Sequence, residues 1–274
     1  MLQKFSVIMS VYKNETADNL RLAFKSVVEQ TAPPDEIVLV RDGRVPEALQ
    51  SCIGEILSEY KALVTYIPLE ENGGLGNALN IAINKARNDL IARMDTDDVC
   101  MPNRFELQLE AFEKNPDLDM VGGQVSEFVD DVEVIVGKRE VPVSHSGITQ
   151  YLKSRNAFNH PTVMYKKSKV IEAGNYIEMH FVEDYYLWLR MMINGCKFMN
   201  LPEVLVKMRV NAQMYQRRGG YNYYKTLNEL EKYKKEEKIT TGVEYLKNCA
   251  IRFCQCVLLP NRLRGWIYQK VLRK

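Results

Sequence analysis

The 274-residue sequence has no apolar run approaching the roughly 20 residues that a membrane span requires. It has little charge imbalance: the formal net charge of +2 gives no bulk attraction to nucleic acid, so no nucleic-acid partner is expected. The start, Met1-Leu2-Gln3-Lys4-Phe5, leads straight into a strand-like segment, and no signal peptide is expected. The six cysteines (Cys52, Cys100, Cys196, Cys249, Cys254, Cys256) lack zinc-site spacing; Cys254 and Cys256 are close but have no second ligand pair. All six read as reduced thiols of a cytoplasmic protein. There is no internal repeat and no low-complexity segment. No D-x-D-x-T motif follows the first strand, where a phosphatase of that type needs it. The Gly-rich basic loop of a sugar nucleotidyltransferase is missing from the same place, where Val11-Tyr12-Lys13-Asn14-Glu15 stands instead.

What is present is a rhythm. Residues 5–11 form a short Val/Ile-rich run of strand character. Leu20, Ala23, Phe24, Val27 and Val28 make a helical stripe that Asp18 or Asn19 can cap and Pro33-Pro34 ends. Residues 36–40 read as a second strand, closed by Asp42-Gly43, and Leu49, Cys52, Ile53, Ile56 and Leu57 as a second helix. Residues 63–67, a third helix from Leu75 to Ala86, and a fourth strand from Leu90 continue the alternation. Four strands alternating with three helices predict an α/β fold, a doubly wound parallel sheet with helices on both faces. In such a sheet, ligands bind beyond the carboxyl ends of the strands.

The fourth strand runs into Asp95-Thr96-Asp97-Asp98, three carboxylates in four positions. Clustered carboxylates on a sheet rim suit a hard cation such as Mg²⁺ or Mn²⁺ with substrate phosphate oxygens completing its shell. The competing reading is a solvated acidic turn. Further on, a helix over 104–114, strands at 120–129 and 132–136, a short strand at 163–165, a helix opened by Glu183-Asp184, and a strand at 204–210 are expected. The rhythm is lost between Pro142 and Asn156. Residues 228–238 read as a charged, solvated helix face with Glu231 spaced to pair Lys235.

Five segments together resemble the family 2 glycosyltransferases, inverting enzymes of the GT-A fold. They are residues 5–12 (FSVIMSVY), 36–43 (EIVLVRDG), 72–80 (NGGLGNALN), 94–98 (MDTDD) and 182–190 (VEDYYLWLR). The resemblance covers residues 4 to about 210. It implies a GT-A domain over 1–210, with a Rossmann-like nucleotide-sugar half at 1–98 and an acceptor half at 99–210, and a helical basic tail at 211–274. It further implies a uridine base held by Val11, Tyr12 and Asp42, a ribose near Glu15, and Gly76 admitting the nucleotide sugar. Asp95 and Asp97 stand at the family's D-x-D motif for ribose and metal, with Asp98 as a competing ligand. Asp184 stands at the family's catalytic base, with Glu183 as its rival. Two departures are visible: Gly76-Asn77 replaces the basic residue many relatives have before that Asn, and the Q-x-x-R-W motif of processive synthases is absent. A nucleotide-sugar donor, Mn²⁺ or Mg²⁺, and a lipid-linked glycan acceptor of capsule or O-antigen assembly are thus implied.

The residues themselves support that chemistry. A leaving diphosphate needs its charge neutralised, and an acceptor hydroxyl needs a base. Asp184 opens a helix, whose dipole favours an ionised carboxylate, although a plain first-turn acid would look the same. His160 is a candidate for acceptor or diphosphate contact, or a structural histidine. Trp188 reads as core by its helical spacing from Asp184. Arg104 and Gln108, one turn apart, either buttress the metal motif or face solvent. Arg217, beside Arg218 and Gly219-Gly220, belongs either to a loop closing over the diphosphate or to a basic surface turn. A non-catalytic nucleotide-sugar-binding protein would keep Asp42 and the Asp95 cluster without needing Asp184. Finally, residues 249–274 contain six basic and no acidic side chains. Leu263, Trp266, Ile267 and Val271 share one helical face there, which predicts peripheral contact with the inner face of a bacterial cell membrane, the alternative being a tail helix packed on the catalytic domain.

Overall fold

The computed structural model describes residues 3–211 and 219–259. One mixed sheet carries the molecule. Its first half is β1 (Phe5–Tyr12), β2 (Glu36–Asp42), β3 (Val64–Pro68) and β4 (Leu90–Asp95), all parallel in the order β3-β2-β1-β4. The connecting helices are α1 (Ala17–Val28), α2 (Glu47–Glu59) and α3 (Leu75–Lys85). Neighbouring side chains on these strands serve opposite faces. On β1, Val7 and Met9 join the core under α1 and α2, while Ile8 joins the core under α3. On β2, Ile37 and Leu39 repeat the first pattern, Val38 and Val40 the second. A sheet covered on both faces explains why these strands read as continuous apolar runs rather than alternating ones.

The second half turns mixed. After the two-residue β5 (Val99–Cys100) and α4 (Arg104–Lys114) come β6 (Met120–Phe128), β7 (Ile135–Arg139) and α5 (His145–Leu152). Then follow a 3-10 turn (His160–Thr162), β8 (Met164–Lys166), α6 (Lys167–Glu172), α7 (Glu183–Ile193) and β9 (Phe198–Arg209). The order continues β4-β8-β6-β9-β5, with β8 antiparallel to both β4 and β6, β9 parallel to β6, and β7 on β6. Two further helices, α8 (Tyr221–Glu236) and α9 (Gly242–Phe253), lie beyond.

The structure differs from the sequence reading in several places, each with a local cause. Thr16 caps α1, accepting from Asn19 N at 3.2 Å, so neither Asp18 nor Asn19 is the cap. The turn after β6 extends to Val134, whose N donates to Asp131 O, so β7 starts at Ile135 rather than 132. The stretch with no rhythm contains α5, capped by Ser144 and burying only Ile148 and Leu152. β9 starts at Phe198, and its early part was hidden by Pro202 and by the register shifts opposite Gly122 to Val125. The charge run on α8 is not solvated throughout. Glu231 pairs Lys234 at 2.6 Å rather than Lys235, and both are fully buried, because Lys153 O and Asn248 cover them.

The described part of the tail packs on the body. Leu227, Leu230 and Cys256 enter the core that holds Trp188. Asn248 donates to Lys153 O at 2.9 Å, and the Thr241–Glu244 capping box fixes the start of α9. Among the described residues, no helix is long and apolar enough to cross a membrane. The face of Leu263, Trp266, Ile267 and Val271 lies outside the described residues.

Candidate active site

The carboxylate cluster is built at the carboxyl end of β4. Ligand oxygens of Asp95, Asp97 and Asp98 lie within 4.8 Å of one another. Each carboxylate is held differently. Asp95 accepts two hydrogen bonds from the Arg93 guanidinium, itself 2% exposed on the same strand. Asp98 is buried; its Oδ1 accepts Arg209 N at 2.7 Å, while its Oδ2 has no partner among the described residues. Arg209 Nε also donates to Asp97 O at 3.2 Å, so β9 clips the loop in place. Burial, then the neighbouring charges of Asp95 and Glu15, pushes the Asp97 carboxyl up to about 7. Burial, followed by Asp97 and Asp95, raises Asp98 well above the usual carboxylate range. Crowded, desolvated carboxylates with a bare buried oxygen fit a hard divalent cation, which would relieve their repulsion. Such a set is not a solvated acidic turn.

Below the cluster, the alternatives for Arg104 and Gln108 are resolved: both are fully buried. Arg104 donates to Arg93 O at 2.8 Å and to Gln108 Oε1 at 3.1 Å; Gln108 donates to Thr162 O at 2.8 Å. These bonds lock the end of β4 to the 3-10 turn behind it.

The loops of the rim are tied together. Glu15 accepts from Thr96 Oγ1 at 2.9 Å and from Asn19 Nδ2 at 3.0 Å, joining the β1 loop to the aspartate cluster. Asp42, at the end of β2, accepts from Asn72 Nδ2 at 2.8 Å, Gly73 N at 2.7 Å and Gly74 N at 3.1 Å. The loop that opens α3 is therefore pinned to the rim, and its place there was not evident from the sequence. Gly74, at φ +87°, needs glycine for this approach. A Cβ on Gly76 would come within 3.1 Å of Glu178 Oε2 and 3.5 Å of Glu183 Cβ. Gly76 thus lets α3 sit against the segment that leads into α7.

Glu183 and Asp184 open α7. Asn156 Nδ2 donates to Asp184 Oδ2 at 2.7 Å, and Tyr185 N donates to its Oδ1 at 2.6 Å. Burial raises the Asp184 carboxyl, against those hydrogen bonds. Burial and then the Asp184 charge push Glu183 up to about 7. His160 shares a hydrogen bond with Tyr176 Oη at 2.8 Å; burial and then Arg93 hold it well below the usual imidazole range, so it is neutral. Trp188 is core, packed edge-on to Phe158, His160 and Tyr176. One cavity of about 390 Å³ is lined by both carboxylate groups: Asp95, Asp97 and Asp98 from the end of β4, and Glu183 and Asp184 from the start of α7.

The family model described as "Glycosyl transferase family 2" matches residues 6–174. The chain belongs to glycosyl transferase family 2. An uncharacterized glycosyltransferase of Haemophilus influenzae is 42% identical over 99% of this chain and 100% of its own length. The amylovoran biosynthesis glycosyltransferase AmsE of Erwinia amylovora is 38% identical over 97% of this chain and 98% of its own. An Escherichia coli protein named UDP-Gal:alpha-D-GlcNAc-diphosphoundecaprenol beta-1,3-galactosyltransferase is 36% identical over 99% and 97%. Among solved structures, a mannosyltransferase from Pyrobaculum calidifontis, in complex with GDP-Man and Mn²⁺, superposes with a TM-score of 0.64 at 16% identity. That match covers 96% of this chain and 72% of that one, and it shows the shared GT-A fold.

Within this glycosyltransferase, the expected site residues fall into two sets. Asp95, Asp97, Asp98, His160, Glu183 and Asp184 line the 390 Å³ cavity. Val11, Tyr12, Glu15, Asp42 and Gly76 lie at the rim without lining it. Arg217 lies outside the described residues. The cavity also takes in residues that sequence reasoning did not single out: Arg93, Arg139, Arg155, Asn156, Tyr223 and Arg252. Arg93 carried a usable signal, a lone charge inside an apolar strand run; the others come from β7, the loop after α5, α8 and α9, with no shared motif.

Proposed function

We propose that this glycosyltransferase moves a sugar from a uridine diphosphate sugar to a hydroxyl of a lipid-linked glycan acceptor, with inversion, in bacterial surface polysaccharide assembly. The observation that carries this is one cavity lined both by a crowded aspartate cluster and by a hydrogen-bonded carboxylate, Asp184. The Erwinia relative, of amylovoran biosynthesis, supports the pathway, and the Escherichia relative supports the uridine donor and the lipid diphosphate acceptor.

Asp97 and Asp98, with Asp95 beside them, would hold Mn²⁺ or Mg²⁺. When bound, that ion supplies Lewis-acid stabilisation of the leaving diphosphate. Asp95 is oriented by Arg93 and Asp98 by Arg209 N, so little rearrangement is needed to bring the ligands together. At the start of α7, Asp184 takes the acceptor hydroxyl proton as the new bond to the anomeric carbon forms and the bond to the diphosphate oxygen breaks. Asn156 and Tyr185 N fix the carboxylate for this task. Glu183, held near 7, is the rival base. A single displacement inverts the anomeric carbon and needs no protein nucleophile.

Val11 and Tyr12 are assigned to the base and Glu15 to the ribose. Asp42 acts at the same rim chiefly by shaping the Asn72-Gly73-Gly74 loop, since three donors already use its carboxylate. The division into a donor half at 1–98 and an acceptor half at 99–210 is part of this proposal. So is peripheral membrane contact at the inner face of the cell membrane through residues 211–274. Calorimetry of UDP with Mn²⁺ and with EDTA tests the donor site; equal affinity in both overturns the metal assignment.

A further inference from the structure

A second cavity, of about 310 Å³, opens where α9 meets the chain that follows α5. It shares Arg155 and Arg252 with the main cavity, and Lys247 adds a third cation to its wall. We propose that this cavity binds the diphosphate of the lipid-linked acceptor, and that the outer face of α9 receives the first part of its lipid. The inference rests on the acceptor class proposed above and assigns it a place.

The charge balance favours a dianion. No carboxylate lines this cavity among the described residues. Two stand near it. Glu231, 3.7 Å from Arg252 Nε, is paired to Lys234 at 2.6 Å and takes a bond from Asn248, and Glu244, one turn before Lys247, accepts from Thr241 N at 2.8 Å in the capping box. Arg252 is fixed by donating to Ser154 O, and the Arg155 guanidinium lies 5.6 Å from the Tyr151 ring centroid. Guanidinium groups held in this way suit phosphate oxygens. The position also fits. Asn156, the residue after Arg155, holds Asp184, so a sugar carried on a diphosphate at these cations is presented to the base. The donor's own diphosphate belongs at the aspartate cluster, which lines the first cavity and not the second.

The lipid side is equally marked. Ile251 lines the cavity. Val243, 78% exposed, lies two turns before it toward the same side of α9, and Leu246, 67% exposed, flanks Val243. Exposed apolar side chains leading away from a cationic pocket match a molecule with a charged head and a long hydrocarbon tail.

The probe is decyl diphosphate, titrated by calorimetry into full-length protein already saturated with UDP and Mn²⁺, so that the donor site is filled. We expect it to bind, at least tenfold tighter than inorganic pyrophosphate. Arg155→Gln and Lys247→Gln each weaken it about tenfold, the scale of one charge-assisted hydrogen bond, and leave UDP affinity within twofold. Both are partly exposed side chains whose replacement leaves the core intact. The proposal is overturned if decyl diphosphate does not bind the UDP-loaded protein, if both substitutions leave its affinity unchanged, or if UDP affinity falls in parallel. UDP binding is measured first and alone, so its absence defeats the donor reading separately from this one.

Discussion

The cavity has two acidic walls made of the same chemical groups, and they are built to different ends. On the β4 wall, three carboxylates crowd within 4.8 Å and one buried oxygen has no partner among the described residues. Their supports are one cation, Arg93, and one backbone amide, Arg209 N, which hold charge in place. On the α7 wall, Asp184 takes a neutral side-chain amide from Asn156 and one peptide N–H. A carboxylate so placed is oriented but not tied up by a cation, which suits a group that must accept a proton. Partners, not residue type, distinguish a cation site from a base.

The first way to break this comparison is at the β4 wall. Asp97→Asn removes a ligand and one of the crowded charges, and should lower transfer by about 10³-fold, the scale of one lost transition-state stabiliser. It should also abolish the Mn²⁺ dependence of UDP binding seen by calorimetry. Retained Mn²⁺ dependence would move the ion to Asp98 and Asp95 alone.

Asp184→Asn should cost about 10²-fold, the lower end of what a general base supplies, because Glu183 stands beside it. UDP affinity with Mn²⁺ should stay within twofold, since the base acts in the transition state. Turnover within tenfold of the parent would reassign the role to Glu183.

A third test asks whether the acceptor wall depends on the tail. Lys234 touches Tyr185 Oη at 3.5 Å, and Tyr185 follows Asp184 in the chain. Lys234→Met leaves Glu231 buried without its 2.6 Å partner and should cost about 3 kcal/mol in urea denaturation. Adding Glu231→Leu should recover most of that loss, because a buried pair replaced together is close to neutral. A single variant as stable as the parent would show that the packing of α8 is independent of the pair.

The two walls also differ in how far the sequence exposed them. The β4 wall is contiguous, Asp95 to Asp98, at the end of an apolar strand in a regular alternation, so its position on the rim followed from the pattern. Asp184 was legible through its place in a helix's first turn and a motif resemblance. The cations were not: Arg139 comes from β7, Arg155 from the loop after α5, and Arg252 from α9. Only tertiary packing brings them together, and no local spacing encodes that. The same limit applied to Asp42, whose three loop donors lie 30 to 32 residues away. It applied to α8 too, where a polar helix proved buried because α9 and Lys153 O cover it. The regular first half was readable because its strands obey one periodicity; the mixed half was not because its elements are short and bulged.

The smallest effect concerns Glu183 without metal or substrate. Burial and Asp184 hold its carboxyl at about 7, above the 4.5 of an unfolded chain. A carboxyl raised in this way binds its proton more tightly in the folded state than in the unfolded one. Its stabilising contribution is therefore complete below the unfolded value and is lost as pH rises through about 7. Between pH 8 and pH 6 the folded protein should gain about 1 kcal/mol from this group, roughly one titration unit's worth. Asp97, held near the same value, adds a slope of its own. Glu183→Gln separates the two, because an amide cannot titrate. The variant should lose about 1 kcal/mol of the gain in unfolding free energy from pH 8 to pH 6 and match or exceed the parent at pH 8. If the parent and the variant show the same pH slope, Glu183 is ionised throughout that range, and the α7 wall carries two full negative charges.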